Sequence, residues 1–193
     1  MSAALKLDKK RYTYADLLNW PEDERWELID GVPYAMAAPN LKHQRILGSL
    51  HRKFHEHLED KACEVFVAPC DVRLYADKDD EDDKGSDDTV VQPDLLVVCD
   101  LDKLADGKAV KGAPDFVMEI LPPSNSTRDT MLKFQKYRDA DVPEIWFVDP
   151  ETGMVQANRQ QNDGKYSMDF YGAQDIVPVG ILPGFEVNMK EIF

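Results

Sequence analysis

The sequence predicts a mixed α/β protein: a mixed β-sheet flanked by helices, with an N-terminal hairpin and added β-structure toward the C-terminus. Three observations carry this expectation. Two apolar, β-branched runs at 90–99 and 115–121 have strand composition, and each encloses an acid. A stretch from 41 to about 61 repeats its apolar residues at helical spacing. Asp30-Gly31 and Asn162-Asp163-Gly164 are turn signals set between such runs. Strand and helix patterns interleaved in this way pack as helices on a sheet.

In chain order, residues 12–18 read as a short helix, with Thr13 as N-cap and Asp16 in a capping-box position. Residues 26–29 and 32–36 flank Asp30-Gly31, which tolerates the positive φ of a tight hairpin turn. The long helix buries Ile46, Leu47, Leu50, Phe54 and Leu58, and turns Lys42, Arg45, Arg52 and Lys53 outward. Strands are expected at about 64–75 and 90–99, joined by an acidic loop at about 76–89 that repels itself and is expected to be mobile. A strand at about 115–121 stops at Pro122-Pro123. Ser124, Asn125, Ser126 and Thr127 then offer N-caps for a helix to about 139, with Met131, Phe134 and Tyr137 on one face. Residues 144–150 form a further core strand. The pair 154–159 and 166–171 makes a late hairpin, and Pro183-Gly184 leads into a short final segment. No internal repeat appears, and residues 1–193 read as one domain.

Composition narrows the function classes. Hydrophobic residues make up 43% and charged residues 31%, a soluble globular balance. No run approaches the roughly 18 apolar residues that span a bilayer, and the first ten residues lack a signal-peptide core, so cytoplasm is the expected location. Cys63, Cys70 and Cys99 form an odd set without a CxxC, which suggests neither a disulfide framework nor zinc, and Cys99 reads as a small core residue. The net charge of −14 opposes a basic nucleic-acid footprint. Part of it is local, because residues 77–88 carry eight acids against two lysines.

The chemistry is concentrated in Asp94 and Glu119. A carboxylate inside an apolar strand is costly unless a cation meets it. Two on neighbouring strands, with Lys133 on the following helix, make a natural divalent-metal site. Each residue also has a plainer explanation. Asp94, after Pro93, is a common turn or strand-start residue. Glu119, between Val117, Met118, Ile120 and Leu121, is the hardest to explain as structure. Glu27 stands equally well as a site acid or as a solvated hairpin residue, and Lys133 taken alone is an ordinary surface lysine. His43 would contact substrate phosphate or support a metal-binding carboxylate, or would have no partner at all. His51 and His55 suit zinc only with a third ligand. Asp129 would cap its helix, and Tyr137 and Trp146 read as core.

Several segments, in order, carry a resemblance. They are Glu27-Leu28-Ile29-Asp30-Gly31; Pro39 with His43; Gln92-Pro93-Asp94; and Glu119-Ile120-Leu121-Pro122-Pro123-Ser124. Asp129, Lys133 and Tyr137 follow at four-residue steps, and Val142-Pro143-Glu144-Ile145-Trp146-Phe147-Val148-Asp149-Pro150 closes the set. The chain resembles the Uma-two family of putative restriction endonucleases, within the PD-(D/E)xK restriction-endonuclease-like superfamily, from about residue 12 to 193. The resemblance implies a restriction-endonuclease-like fold with Asp94 and Glu119 as metal-binding carboxylates and Glu27 completing the shell. The usual lysine two residues after the glutamate is here Leu121. Similar families move it to the next helix, where Lys133 fits, with Lys136 the competitor. Catalytic residues would then be Asp94, Glu119, Lys133 and Glu27, with His43 and Lys136 as substrate contacts. Magnesium, or manganese, would be the cofactor.

The expected activity is metal-dependent hydrolysis of DNA phosphodiester bonds by a homodimer able to cut both strands. A catalytically silent interaction or regulatory protein on a nuclease-derived fold is the alternative. A glycosidase-like carboxylate pair ranks last, since it leaves Lys133 without a task.

Overall fold

The computed structural model describes residues 11–21, 23–79, 83–122 and 127–193, with side chains on the third helix from residue 130 onward. The elements are α1 (Tyr14–Leu17), β1 (Trp26–Ile29), β2 (Val32–Ala35), α2 (Leu41–Leu58), β3 (Glu64–Val67), β4 (Val72–Arg73), β5 (Val90–Val91), β6 (Leu95–Val98), β7 (Val110–Lys111), β8 (Phe116–Ile120), α3 (Thr127–Asp139), β9 (Glu144–Asp149), β10 (Met154–Gln160), β11 (Tyr166–Tyr171), β12 (Ile176–Pro178) and β13 (Glu186–Asn188). The expected α/β class holds, but the sheet is divided. Six strands run β11-β10-β9-β8-β6-β3, five run β2-β1-β5-β4-β7, and β12-β13 form a small hairpin.

Strand parity explains the division of labour in the six-stranded sheet. Leu95, Val97, Phe116, Met118, Ile120, Trp146 and Val148 face α2, where Phe54 packs against the Phe116, Trp146 and Phe185 rings. Leu96, Val98, Val117, Ile145 and Phe147 face the other way, toward Ile29, Val72 and Val91 of the second sheet and Tyr137 of α3. A fully two-sided burial is why these strands read as unbroken apolar runs. Glu119 stands on the second face, with Val117.

Several expectations need correction. The strand at 64–75 is broken: β3 joins the six-stranded sheet, the chain turns at a cis Ala68-Pro69 bond, and β4 joins the other. The run at 90–99 splits likewise around Gln92-Pro93-Asp94, because proline has no N–H for a ladder. The short segment after Pro183-Gly184 carries β13, which pairs back across that turn with β12 as a hairpin. Cys63 and Cys99, read as unpaired, form a disulfide. The β3-β6 pairing sets Glu64 opposite Val98, which brings the two flanking cysteines together, a pairing that spacing alone does not reveal. Met131 is exposed, while Phe134 is partly buried and Tyr137 fully so.

The described part of the acidic loop is tied down. Arg73 is buried and donates to Asp83 at 2.5 and 2.6 Å and to Asp87 at 2.5 Å, with its guanidinium 4.7 Å from the Tyr14 ring centre. Asp16 accepts from the Thr13 backbone at 3.1 Å, as expected at the start of α1. At Asp30-Gly31 both residues have positive φ, +51° and +74°. The helix caps expected from Ser124 to Ser126 lie outside the described residues, as do the side chains of Thr127 and Asp129.

Candidate active site

The site is built by the register of β6 on β8. Leu96 pairs with Val117 and Leu95 with Met118; the same register one step further sets Asp94 opposite Glu119. Directly opposed acids repel, and each is held by its own partners. Asp94 Oδ2 accepts the Ile120 N–H at 2.7 Å, and Oδ1 lies 3.0 Å from His43 Nε2. His43 is in the first turn of α2, where the Asn40 side chain accepts its backbone N–H at 2.9 Å and fixes the helix start.

Glu119 faces α3. Lys133 and Tyr137, four residues apart on one helical face, donate to its Oε1 at 3.0 and 2.5 Å. Glu27 arrives from β1 of the other sheet, on the same strand face as the core residue Ile29. Its Oε1 accepts from Lys133 Nζ at 2.8 Å and from the Gln92 backbone N–H at 2.8 Å. One ammonium therefore bridges carboxylates from two sheets. Glu27 and Glu119 are only 5% and 8% exposed.

Electrostatics follow from that crowding. Burial pushes the Glu119 carboxyl up to about 7; Glu27 and Asp94 add to the rise, while Lys133 and the Tyr137 hydroxyl oppose it. Burial alone would lower the Lys133 pKa, but attraction to Glu119 and Glu27 outweighs it and the net shift is upward. Burial and the same acids push the Tyr137 hydroxyl well above its ordinary value, so it donates to Glu119.

Among the described residues, no three His, Cys, Asp or Glu side chains are grouped closely enough to hold a metal by themselves. A hard cation such as magnesium needs less, binding through one or two carboxylates and keeping several waters. Asp94 and Glu119 offer that oxygen chemistry, and three carboxylates against one ammonium leave a surplus of negative charge, so the residues fit such an ion.

A family model described as Uma2, putative restriction endonuclease, matches residues 14–190. The chain belongs to the Uma2 family. It is also 25% identical over 165 residues to the uncharacterized protein slr1290 of Synechocystis sp. (strain ATCC 27184 / PCC 6803 / Kazusa), covering 83% of this chain and 80% of that one. The crystal structure of a putative nuclease belonging to DUF820 from Anabaena variabilis ATCC 29413 superposes with a TM-score of 0.72 at 18% identity, covering 94% of this chain and 97% of that one. That likeness shows a shared fold. Uma2 membership makes the chain nuclease-like at the level of its family.

Asp94, Glu119, Glu27, Lys133 and His43, all singled out in the sequence, come together. Lys136 does not; its ammonium donates to Asp30 at 2.7 Å. His51 and His55 lie with ring centres 5.9 Å apart, tilted by 33°, and gain no third ligand among the described residues. Tyr137 was read only as core, although its four-residue step from Lys133 was the signal for its contact with Glu119. Arg25, Asp71 and Gln92 were missed as a group. Gln92 donates to Asp71 at 2.8 Å and accepts from Arg25 at 2.9 and 3.1 Å, a junction no spacing announces.

Proposed function

We propose that this Uma2 protein is a divalent-metal-dependent endonuclease hydrolysing DNA phosphodiester bonds. The observation that carries the reading is the meeting of Glu27 from one sheet and Glu119 from the other on the buried ammonium of Lys133, with Asp94, just before β6, set opposite Glu119 by the β6-β8 register. Magnesium or manganese, held by Asp94 and Glu119 with Glu27 completing the shell, would supply Lewis acidity and an acidified water. The chain's own residues do the rest. His43 and the Ile120 N–H orient Asp94. Tyr137 and Lys133 fix one Glu119 oxygen and leave Oε2 without a hydrogen bond among the described residues. Lys133, with its raised pKa, holds its proton; it orients water and offsets phosphate charge rather than acting as a base. Lys136, outside the cluster, would reach only a flanking phosphate.

Supercoiled plasmid and single-stranded DNA, incubated with magnesium, manganese or EDTA, test this beside the Glu119→Ala variant. Metal-dependent cutting lost in the variant supports the reading; equal cutting by both would assign it to a contaminant. The alternative, a silent interaction module, draws on the −14 net charge and on the protein partners that every site carboxylate already has. Calorimetric titration separates the two, since the module binds neither magnesium nor manganese.

A further inference from the structure

We infer that Arg25 is the substrate-phosphate contact of this site, oriented for that task by Gln92 and Asp71. The inference rests on the nuclease reading. Arg25 precedes β1, and its carbonyl accepts the Met36 N–H at 2.9 Å, so hairpin pairing extends to it. It is two residues from Glu27, which in an extended chain puts both side chains on the same face. Arg25 as a residue is partly buried rather than sealed in the core.

Its partner is unusual for a cation beside a carboxylate cluster. Nε and Nη2 donate to Gln92 Oε1 at 3.1 and 2.9 Å, and Arg25 forms no ion pair among the described residues. The neighbouring cations are all engaged with acids: Lys133 with Glu27 and Glu119, His43 with Asp94, and Lys136 with Asp30. Gln92 in turn is fixed twice, its backbone N–H on Glu27 at 2.8 Å and its Nε2 on Asp71 at 2.8 Å. A guanidinium only donates and a carboxylate only accepts, so these partners set the amide orientation. The amide oxygen, not a carboxylate, takes the direct hydrogen bonds of the planar fork, the Asp71 charge acts on it only at longer range, and Nη1 has no hydrogen bond among the described residues. Arginine in that state is the group suited to phosphate oxygens. A substrate phosphodiester beside the carboxylates would otherwise meet a surplus of negative charge.

The test is binding of a fluorescein-labelled DNA duplex to the full chain with calcium present, followed by anisotropy as salt is raised from about 50 to 200 mM. One lost phosphate contact lowers the slope of log K against log salt by about 0.9. Arg25→Gln, which keeps an amide donor for Gln92 but no charge, is expected to show that loss, whereas Arg25→Lys retains the wild-type slope. Gln92→Glu, which sets a carboxylate on the guanidinium, is expected to mimic Arg25→Gln. A purely structural Arg25 would alter melting but not the slope. Wild-type slope in both Arg25→Gln and Gln92→Glu overturns the inference and leaves the nuclease reading standing. Failure of the wild-type chain to bind DNA overturns both.

Discussion

Lys133 joins the two sheets through a single side chain, and the proposed chemistry gives it a second task. Its ammonium is the shared partner of two buried acids, and removing one member of a buried charge set costs about 3–5 kcal/mol. Lys133→Ala is therefore expected to lose stability on that scale in urea unfolding, and to cut cleavage by about 10²–10⁴-fold. Glu119 gives the sign of the pH dependence. Burial raises its folded pKa to about 7, above the ordinary 4.5, so the metal-free native state holds the proton more tightly than the unfolded chain. The resulting stabilisation is full below about 4.5 and is lost as pH climbs through 7. Melting of the metal-free protein should fall between about pH 4.5 and 7 relative to Glu119→Gln; a parallel course for the two proteins would show that Glu119 is not the group responsible.

At the scale of elements, the site depends on α2 and the first hairpin holding their places. Phe54 on α2 is fully buried among Phe116, Trp146 and Phe185. Phe54→Ala is expected to cost about 3–5 kcal/mol, measured by denaturant midpoint at unchanged slope. Gly31 carries φ +74°, and a Cβ there would stand 2.8 Å from Arg11 Cβ. Gly31→Ala combines backbone strain with that clash, at about 1–3 kcal/mol, and should loosen Glu27 and so weaken metal binding. These elements were readable in the sequence because periodicity and turn chemistry are local. The breaks within 64–75 and 90–99 were not, since an apolar run does not say which of two sheets each half joins.

For the whole molecule, the two sheets meet where Glu27 and Glu119 share the Lys133 ammonium, so an ion bound at the proposed site would be coupled to folding. Magnesium at a hundredfold excess over its Kd should stabilise the chain by about 2.7 kcal/mol. The gain should vanish in Asp94→Ala, and its persistence there would place the ion elsewhere. The homodimer proposed for cutting two strands is checked by sedimentation in the presence of duplex. Part of the acidic loop is paired within the fold: Asp83 and Asp87 are bound to Arg73, and Lys111 lies 3.0 Å from Asp83, while the net charge of −14 remains.

The sequence by itself determined the α/β class, the hairpin, the long helices and the acids Asp94 and Glu119, because each rests on local period or on a charge misplaced in an apolar run. It also ordered Lys133 after them by family resemblance. Only the tertiary structure decided that Lys133 rather than Lys136 meets the carboxylates, that Glu27 is buried, that Cys63 joins Cys99, and that Gln92 ties Arg25 to Asp71. Those facts depend on strand register and on which sheet each strand enters. Register is fixed by contacts between residues distant in the chain, which no local pattern records.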